Sequence, residues 1–364
     1  LSDSKLAAWL CLKTAPDVGF QTLLRIVREY GSPEGFVGNS AHPLYDLTFL
    51  SPAAGKHLLS AQMPSNLKQI SELCRHYRIA ITTILDDDYP AALRQTYSPP
   101  PILYCRGDKT LLNASPSLGV VGTRRPTAYG REMTAKLIRP VAEAGVCIIS
   151  GMAIGIDTMA HLTTLNAKGK TIAVLAHGLD QCYPPQNKEL HADLIAKGLI
   201  VSEHEPGTKM ERWNFPSRNR IVAGISQAVF IVEGAITSGA LLTAKFALEY
   251  NREVFALPGN INNHNAQGPN HLIRNGAIPI TSEDDLITYY GLKPCVKEQL
   301  SIFPELSEGE RSIYEILSKE QRDITFDELM LISQFNFGQL SIALLNLELK
   351  SLIVKASGNS YIIR

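Results

Sequence analysis

Apolar positions change rhythm twice along this chain. Up to residue 74, Leu6, Leu10, Leu23, Leu24, Ile26 and Val27 recur at helical spacing, broken at Pro16-Asp17-Val18-Gly19 and Gly31-Ser32-Pro33. That rhythm predicts a small module of short helices. From Ile79 onward, short apolar runs alternate with helix-sized intervals: 81–85, 102–105, 119–121, 146–149, 171–175, 199–202, 228–232 and 253–257. Runs of this kind are expected of strands buried on both faces, and their alternation with helices predicts an α/β domain built on a parallel sheet. Between the third and fourth runs a helix is predicted over 129–144, with Met133, Leu137, Ile138 and Val141 on one face. Pro140 lies inside it and should bend the last turn. The second change falls at 292–304, where Pro294 and Pro304 with little periodicity predict a linker. Beyond it, helical stretches at 308–318, 325–333 and 337–352 end in two short apolar runs, 353–355 and 361–363, around a turn.

The domain reading is therefore a helical module over 1–74, an α/β domain over 75–291, the linker, and a winged-helix pattern over 305–364. The Pro-Asp-Val-Gly turn resembles a helix-hairpin-helix with one of its two usual glycines. Such a turn either presents backbone N–H groups to a nucleic-acid phosphate or simply packs against the next domain. At 364 residues, two or three domains are the prior. The formal net charge is zero, so any nucleic-acid footprint is a local patch. Cys11, Cys74, Cys105, Cys147, Cys182 and Cys295 are scattered without a C-x-x-C pair, which argues against a disulfide framework or a zinc site. The 6–12 apolar run is too short to span a membrane and has no cleavage-site pattern, so the cytoplasm is the expected compartment.

Candidate chemistry gathers at the strand ends. Gly122-Thr123-Arg124-Arg125 follows the 119–121 run, and Ser150-Gly151 opens a second glycine turn that continues to Asp157. In an open α/β sheet, loops leaving the carboxyl ends of neighbouring strands share one crevice where ligands bind. Two glycine turns and an Arg pair there suit phosphate, with backbone donors at Gly122-Thr123 and Ser150-Gly151. The glycines are equally consistent with tight turns alone, and Asp157 with a helix cap. Phe215-Pro216-Ser217-Arg218-Asn219-Arg220 brackets a carboxamide with two guanidinium forks, which suit phosphate oxygens and base edges. The alternative is that this Arg pair is salt-bridged to Glu203 or Glu205. Ser238-Gly239 offers a third strand-to-helix turn, and Tyr183 with Asn187 and Lys188 a fourth loop. Gly169-Lys170-Thr171 lacks the upstream glycine of a P-loop, because that position is Thr164. The nine histidines show no triad or metal-ligand spacing, and His161 reads as a satisfied core residue. No catalytic residue, metal ligand or cofactor site is expected from this inventory.

Taken together, Gly122-Thr-Arg124, Ser150-Gly-Met-Ala-Ile-Gly-Ile-Asp157, Gly178-Leu-Asp180 with Tyr183-Pro184, Phe215-Pro-x-Arg-Asn-Arg-Ile221, Ser238-Gly-x-Leu-x-Thr243, and Pro258-Gly259 with Gly268-x-Asn270 resemble the DNA-processing protein A family (DprA/Smf). The resemblance implies an extended Rossmann-like, doubly wound α/β fold that binds and protects single-stranded DNA without sequence preference. It also implies a homodimer formed through that domain, and loading of the RecA recombinase in natural transformation. It places Arg124, Gly151, Arg218, Asn219 and Ser238 in a basic DNA pocket, with Lys188 beside it. The N-terminus looks like the family's sterile-alpha-motif-like module.

The full expected phosphate-binding set is Gly122, Thr123, Arg124, Ser150, Gly151, Asn187, Lys188, Arg218, Asn219, Arg220, Ser238 and Gly239. Tyr183 and Phe215 are the best candidates for base stacking. From Ser301 to Arg364 there are six cations against nine acids, and the third helical stretch carries only Lys350. A DNA-reading helix needs more than that, so the C-terminal piece is expected to serve protein contacts or an auxiliary role. The alternative from another class is a Rossmann-like nucleoside-monophosphate phosphoribohydrolase. Its Pro-Gly-Gly-x-Gly-Thr-x-x-Glu signature is absent, because the corresponding turn reads Gly234-Ala-Ile-Thr-Ser-Gly239.

Overall fold

The computed structural model describes residues 3–46, 49–61, 64–292, 306–320, 322–350, 352–356 and 359–363. Contacts divide the chain into two compact units, 1–295 and 296–364. The first opens with helices α1 (Asp3–Thr14), α2 (Phe20–Tyr30), α3 (Pro52–Leu59) and α4 (Leu67–His76). Nine strands follow: β1 (Ala80–Thr83), β2 (Ile102–Gly107), β3 (Ser117–Val121), β4 (Cys147–Ser150), β5 (Thr171–Val174), β6 (Leu199–Ser202), β7 (Ala228–Ile231), β8 (Glu253–Ala256) and β9 (Ile278–Pro279). Among them lie α5 (Ala91–Arg94), α6 (Ala128–Glu143), α7 (Ile156–Asn166), α8 (Lys188–Lys197), α9 (Asn214–Ile225), α10 (Gly239–Glu249), α11 (Gln267–Arg274) and α12 (Glu283–Tyr289).

The strands form one sheet in the order β1-β2-β6-β5-β4-β3-β7-β8-β9. From β6 to β9 every pairing is parallel, whereas β1–β2 and β2–β6 are antiparallel. The sheet is therefore mixed, where the sequence pattern had predicted a parallel one. A parallel return needs a crossover of a dozen or more residues, usually helical, and the 84–101 connection holds only the one-turn α5.

Side chains on the central strands alternate between two cores. Leu118, Val120, Ile148, Ala228 and Phe230 face a core shared with Leu137, Ile138 and Val141 of α6 and with α12. Ile149, Val229 and Ile231 face the other, shared with Ile221 and Val222 of α9 and with α10. Helix α6 runs through Pro140 to Glu143, and Met133 packs only partly buried against its core. Trp9, Leu10 and Leu12 of α1 lie in the same core as Ile102, Leu103 and Tyr104 of β2. Ion pairs Lys5–Asp86 and Lys13–Glu205, both 3.0 Å, add to that junction. The helices before residue 74 are thus continuous with the sheet rather than set apart from it.

Residues 293–305, which hold all of the expected linker but its first position, lie outside the described residues. The second unit contains α13 (Glu308–Glu320), β10 (Ile324–Thr325), α14 (Phe326–Ser333), α15 (Phe337–Leu349), β11 (Ile353–Ala356) and β12 (Ser360–Ile363). Its three strands pair antiparallel in the order β10-β12-β11 over a core of Ile313, Leu317, Leu329, Leu340 and Leu344. No described helix is long and apolar enough to cross a membrane.

Candidate nucleic-acid interface

Strand β3 has β4 on one side and β7 on the other, so chain direction across the sheet reverses at β3 and a crevice opens beyond its carboxyl end. There the structure forms a cavity of about 510 Å³ lined by Gly122, Thr123, Arg124, Arg125, Ala153, Asp157, Phe215, Arg218, Asn219, Ser238, Gly239, Thr243, His264 and Asn265 among others. Seven of the twelve expected residues meet in it. Arg124 is exposed and lays its guanidinium over the Phe215 ring, 4.8 Å from the centroid. No carboxylate pairs with Arg124 among the described residues. The electronegative ring face holds the cation in place without neutralising it.

Arg218 is only 4% exposed. Its Nη1 donates to the Gly151 carbonyl at 2.6 Å and to the Val174 carbonyl, and its Nε to Asn219 Oδ1 at 3.1 Å. Gly151 is glycine because of this group: a Cβ there would stand 2.2 Å from Arg218 Nη1. Asp157 is also buried, and Oδ2 accepts the N–H groups of Gly151 (3.1 Å) and Ala153 (3.4 Å). Burial pushes its carboxyl above the ordinary range, while the Arg218 charge and those two donors pull against the rise. The carboxylate therefore caps the glycine turn behind it rather than its own helix, which begins after Gly155.

That arrangement corrects part of the expected donor set. The Gly151 N–H is spent on Asp157, and the Thr123 N–H on the Glu233 carbonyl at 2.7 Å. Ser150 is fully buried and donates its hydroxyl to the Val120 carbonyl. Asn187, also buried, donates to the Met152 carbonyl and to Thr158 Oγ1, both at 2.9 Å, and so braces the same turn from behind. Lys188 begins α8 on the surface and lines neither this cavity nor its neighbour. Arg220 is ion-paired with Glu203 and donates to the Ser98 carbonyl, so the salt-bridge alternative holds for it and not for Arg218.

What remains open to an anion is side-chain chemistry and one helix end. Helix α10 directs its N-terminus at the cavity, with Ser238 as N-cap, and a helix N-terminus favours negative charge. Asn219 Nδ2 donates to the Gly239 carbonyl at 3.1 Å, joining α9 to that terminus. Thr243 lines the cavity with a buried hydroxyl that has no partner among the described residues. Thr243, which closes the Ser238 motif, lies outside the expected phosphate-binding set, and His264 and Asn265 belong to none of the expected motifs. Asn265 donates to the Arg125 carbonyl at 3.0 Å and accepts, through its own carbonyl, the Gly234 N–H at 2.7 Å. The motif around Gly259 and Asn270 could have signalled it, since those two residues clip the same loop by paired hydrogen bonds of 3.2 and 2.9 Å.

Beside the cavity lies a narrow slot of about 30 Å³ between Arg124, Met152, Ile154, His177, Tyr183 and Phe215. Tyr183 and Phe215 rings are 6.2 Å apart. Burial holds His177 below its ordinary pKa, and His161, behind the site, is driven to about 3 by burial with the Arg218 charge adding to it. His161 is bonded at Nδ1 to Thr171 Oγ1 (2.7 Å), while Nε2 has no partner among the described residues. Asp157 is the one carboxylate among the described lining residues, and its cavity-side role is structural.

Fold and cavity thus define an α/β protein with an anion-seeking pocket at the carboxyl edge of its sheet. Residues 80–291 match the family described as DNA recombination-mediator protein A. The chain belongs to that family. It is 34% identical to the protein Smf of Synechocystis over 99% of both chains, and 41% identical to the DNA processing protein DprA of Bacillus subtilis over 62% of this chain and 76% of that one. Among solved structures, the DNA processing protein A of Streptococcus pneumoniae superposes with a TM-score of 0.68 at 32% identity, covering 79% of this chain and 98% of that one. The Helicobacter pylori protein, whose structure describes a single-stranded DNA binding mode, gives 0.54 at 33% identity over 59% and 96%.

Proposed function

We propose that this chain binds single-stranded DNA without sequence specificity through the cavity beyond β3, protects it, and passes it to the RecA recombinase during uptake of DNA. The observation that carries this reading is Arg124, an exposed guanidinium with no carboxylate partner, seated on an aromatic ring at the mouth of the cavity. Arg124, Arg125, Asn219, the Ser238-Gly239 turn and Thr243 supply the phosphate contacts. Arg218 acts from beneath as a buried cation that shapes the floor. Phosphate contacts of this kind bring no base preference, because every nucleotide offers the same anion. The membership in a recombination-mediator family and the single-strand binding of the Helicobacter pylori relative support the same reading.

A homodimer through the α/β domain, a cytoplasmic location, a sterile-alpha-motif-like N-terminal module and a C-terminal winged helix complete the proposal. The acidic balance of the C-terminal unit supports a role in protein contacts rather than DNA affinity. Fluorescence anisotropy with labelled single- and double-stranded oligonucleotides across a salt series tests the core of it. Single strands should bind more tightly, with a steep loss as salt rises. Equal binding of both forms, or none, would remove the reading.

A further inference from the structure

Trp213 is 71% exposed, although it precedes the most heavily used helix of the site. It is the N-cap of α9, two residues before Phe215 and five before Arg218. Two residues of extended chain span at most about 7 Å, so the Trp213 backbone lies within that distance of the Phe215 backbone. The segment is not loose. Asn214 N–H donates to the Glu211 carbonyl at 3.1 Å, Phe215 N–H to the Arg212 carbonyl at 3.5 Å, and Ser217 Oγ back to the Asn214 carbonyl at 2.9 Å. Asn214 itself is buried, which fixes the turn on either side of the indole. Exposed Arg212 and Lys209 adjoin it, with exposed Glu211 the one acid between them. An exposed indole on a held backbone, beside cations, offers a large π-face with only two side-chain torsions to order, which suits stacking on an unpaired base.

We propose that Trp213 is a second stacking platform. A strand whose phosphate occupies the Arg124 cavity continues past α9, lays its next base on the indole, and passes its following phosphate to Arg212 and Lys209. This rests on the proposed function and extends the bound track beyond the cavity. It also adds to single-strand preference, since a base held in a duplex stack does not present its face.

The chain has two tryptophans, and Trp9 is fully buried in the core far from this turn in sequence, so emission separates them. Wild type, Trp213→Phe and Trp213→Ala are titrated with a labelled oligo-dT, reading anisotropy and tryptophan emission together, with mass determination alongside. Expected are quenching in wild type, loss of that quenching in Trp213→Phe with affinity retained, and binding by Trp213→Ala weakened by roughly five- to a hundredfold. Undiminished affinity of Trp213→Ala, or the same quenching in Trp213→Phe, overturns the platform while leaving the cavity reading intact. A Trp213→Ala chain that changes oligomeric state with unaltered DNA affinity assigns the indole to a protein contact instead. Failure of the wild type to bind any oligonucleotide overturns the cavity reading and the platform with it.

Discussion

Arg124→Ala separates holding DNA from holding the fold. The guanidinium makes one internal contact of note, the Phe215 ring at 4.8 Å, and is otherwise exposed. An exposed cation–π contact contributes about 0.5–1 kcal/mol, so the melting temperature should fall by no more than about 2–4 °C for a unit of this size. Binding should suffer far more. A hydrogen bond to a charged group contributes about 1.5–3 kcal/mol, which is roughly ten- to a hundredfold in affinity. Because one cation no longer neutralises a phosphate, the slope of log affinity against log salt should fall by about 0.7 for a single strand. The assay is anisotropy of labelled oligo-dT across a salt series, beside a thermal melt. Unchanged slope and affinity would remove Arg124 from the interface. A collapse of the melt would refute the assignment of the side chain as structurally spare.

Arg218→Met should do the opposite, destabilising the first unit by about 3–5 kcal/mol, because it strips the counter-charge from buried Asp157 and two carbonyls of their donor; chemical denaturation reads this directly. Gly151→Ala forces a methyl into the Arg218 guanidinium and should cost about 1–3 kcal/mol or more by the same measurement, with DNA binding lost only as far as Arg218 moves. Asp86 joins Lys5 of α1 to the end of β1; burial raises its carboxyl, but the Thr83 N–H, Lys5 and the Thr83 hydroxyl outweigh it and hold the group below its ordinary value of 3.8. Its folded pKa is thus depressed, so its contribution to stability is full above 3.8 and is lost as pH falls through the folded value. Melts taken between neutral pH and strong acid should show that acid limb in wild type and a shallower one in Asp86→Asn. Ending the chain after residue 292 should leave single-strand affinity and its salt slope unchanged, since the removed unit carries more acids than cations.

The central strands were readable because burial on both faces writes itself as unbroken apolar runs, and β3 to β8 lie within a residue or two of the expected stretches. Strand direction has no such signature. An apolar run reads the same up or down the sheet, so β1 and β2 were expected as strands but not as antiparallel ones, and β9, two residues long and ending in Pro279, was not expected at all. The pair Arg218 and Arg220 shows the same limit at the level of one side chain. Residues two apart on a helix point to nearly opposite sides, so one guanidinium had to face the cavity and the other Glu203, and spacing alone did not say which.

The glycine turns carry the sharper lesson about the site. Their sequence advertises backbone donors, yet a buried N–H must find a partner within the protein unless ligand is always bound. Here Asp157 takes the donors of Gly151 and Ala153, and the Glu233 carbonyl takes that of Thr123. The glycines serve close packing instead: a Cβ at Gly122 would meet Ile156 at 2.6 Å, and one at Gly155, where φ is +94°, would meet the Thr123 carbonyl at 2.4 Å. Such packing sets the β3 and β4 turns against each other and fixes where Arg124 leaves the backbone. On the proposed function, anion affinity would fall to the groups the turns leave uncommitted: the Arg124 and Arg125 guanidiniums, the Thr243 hydroxyl and the N-terminus of α10. An interface built from a few side chains around a rigid frame will lose affinity residue by residue when those side chains are removed. One built from backbone donors would lose it only when the frame itself gives way.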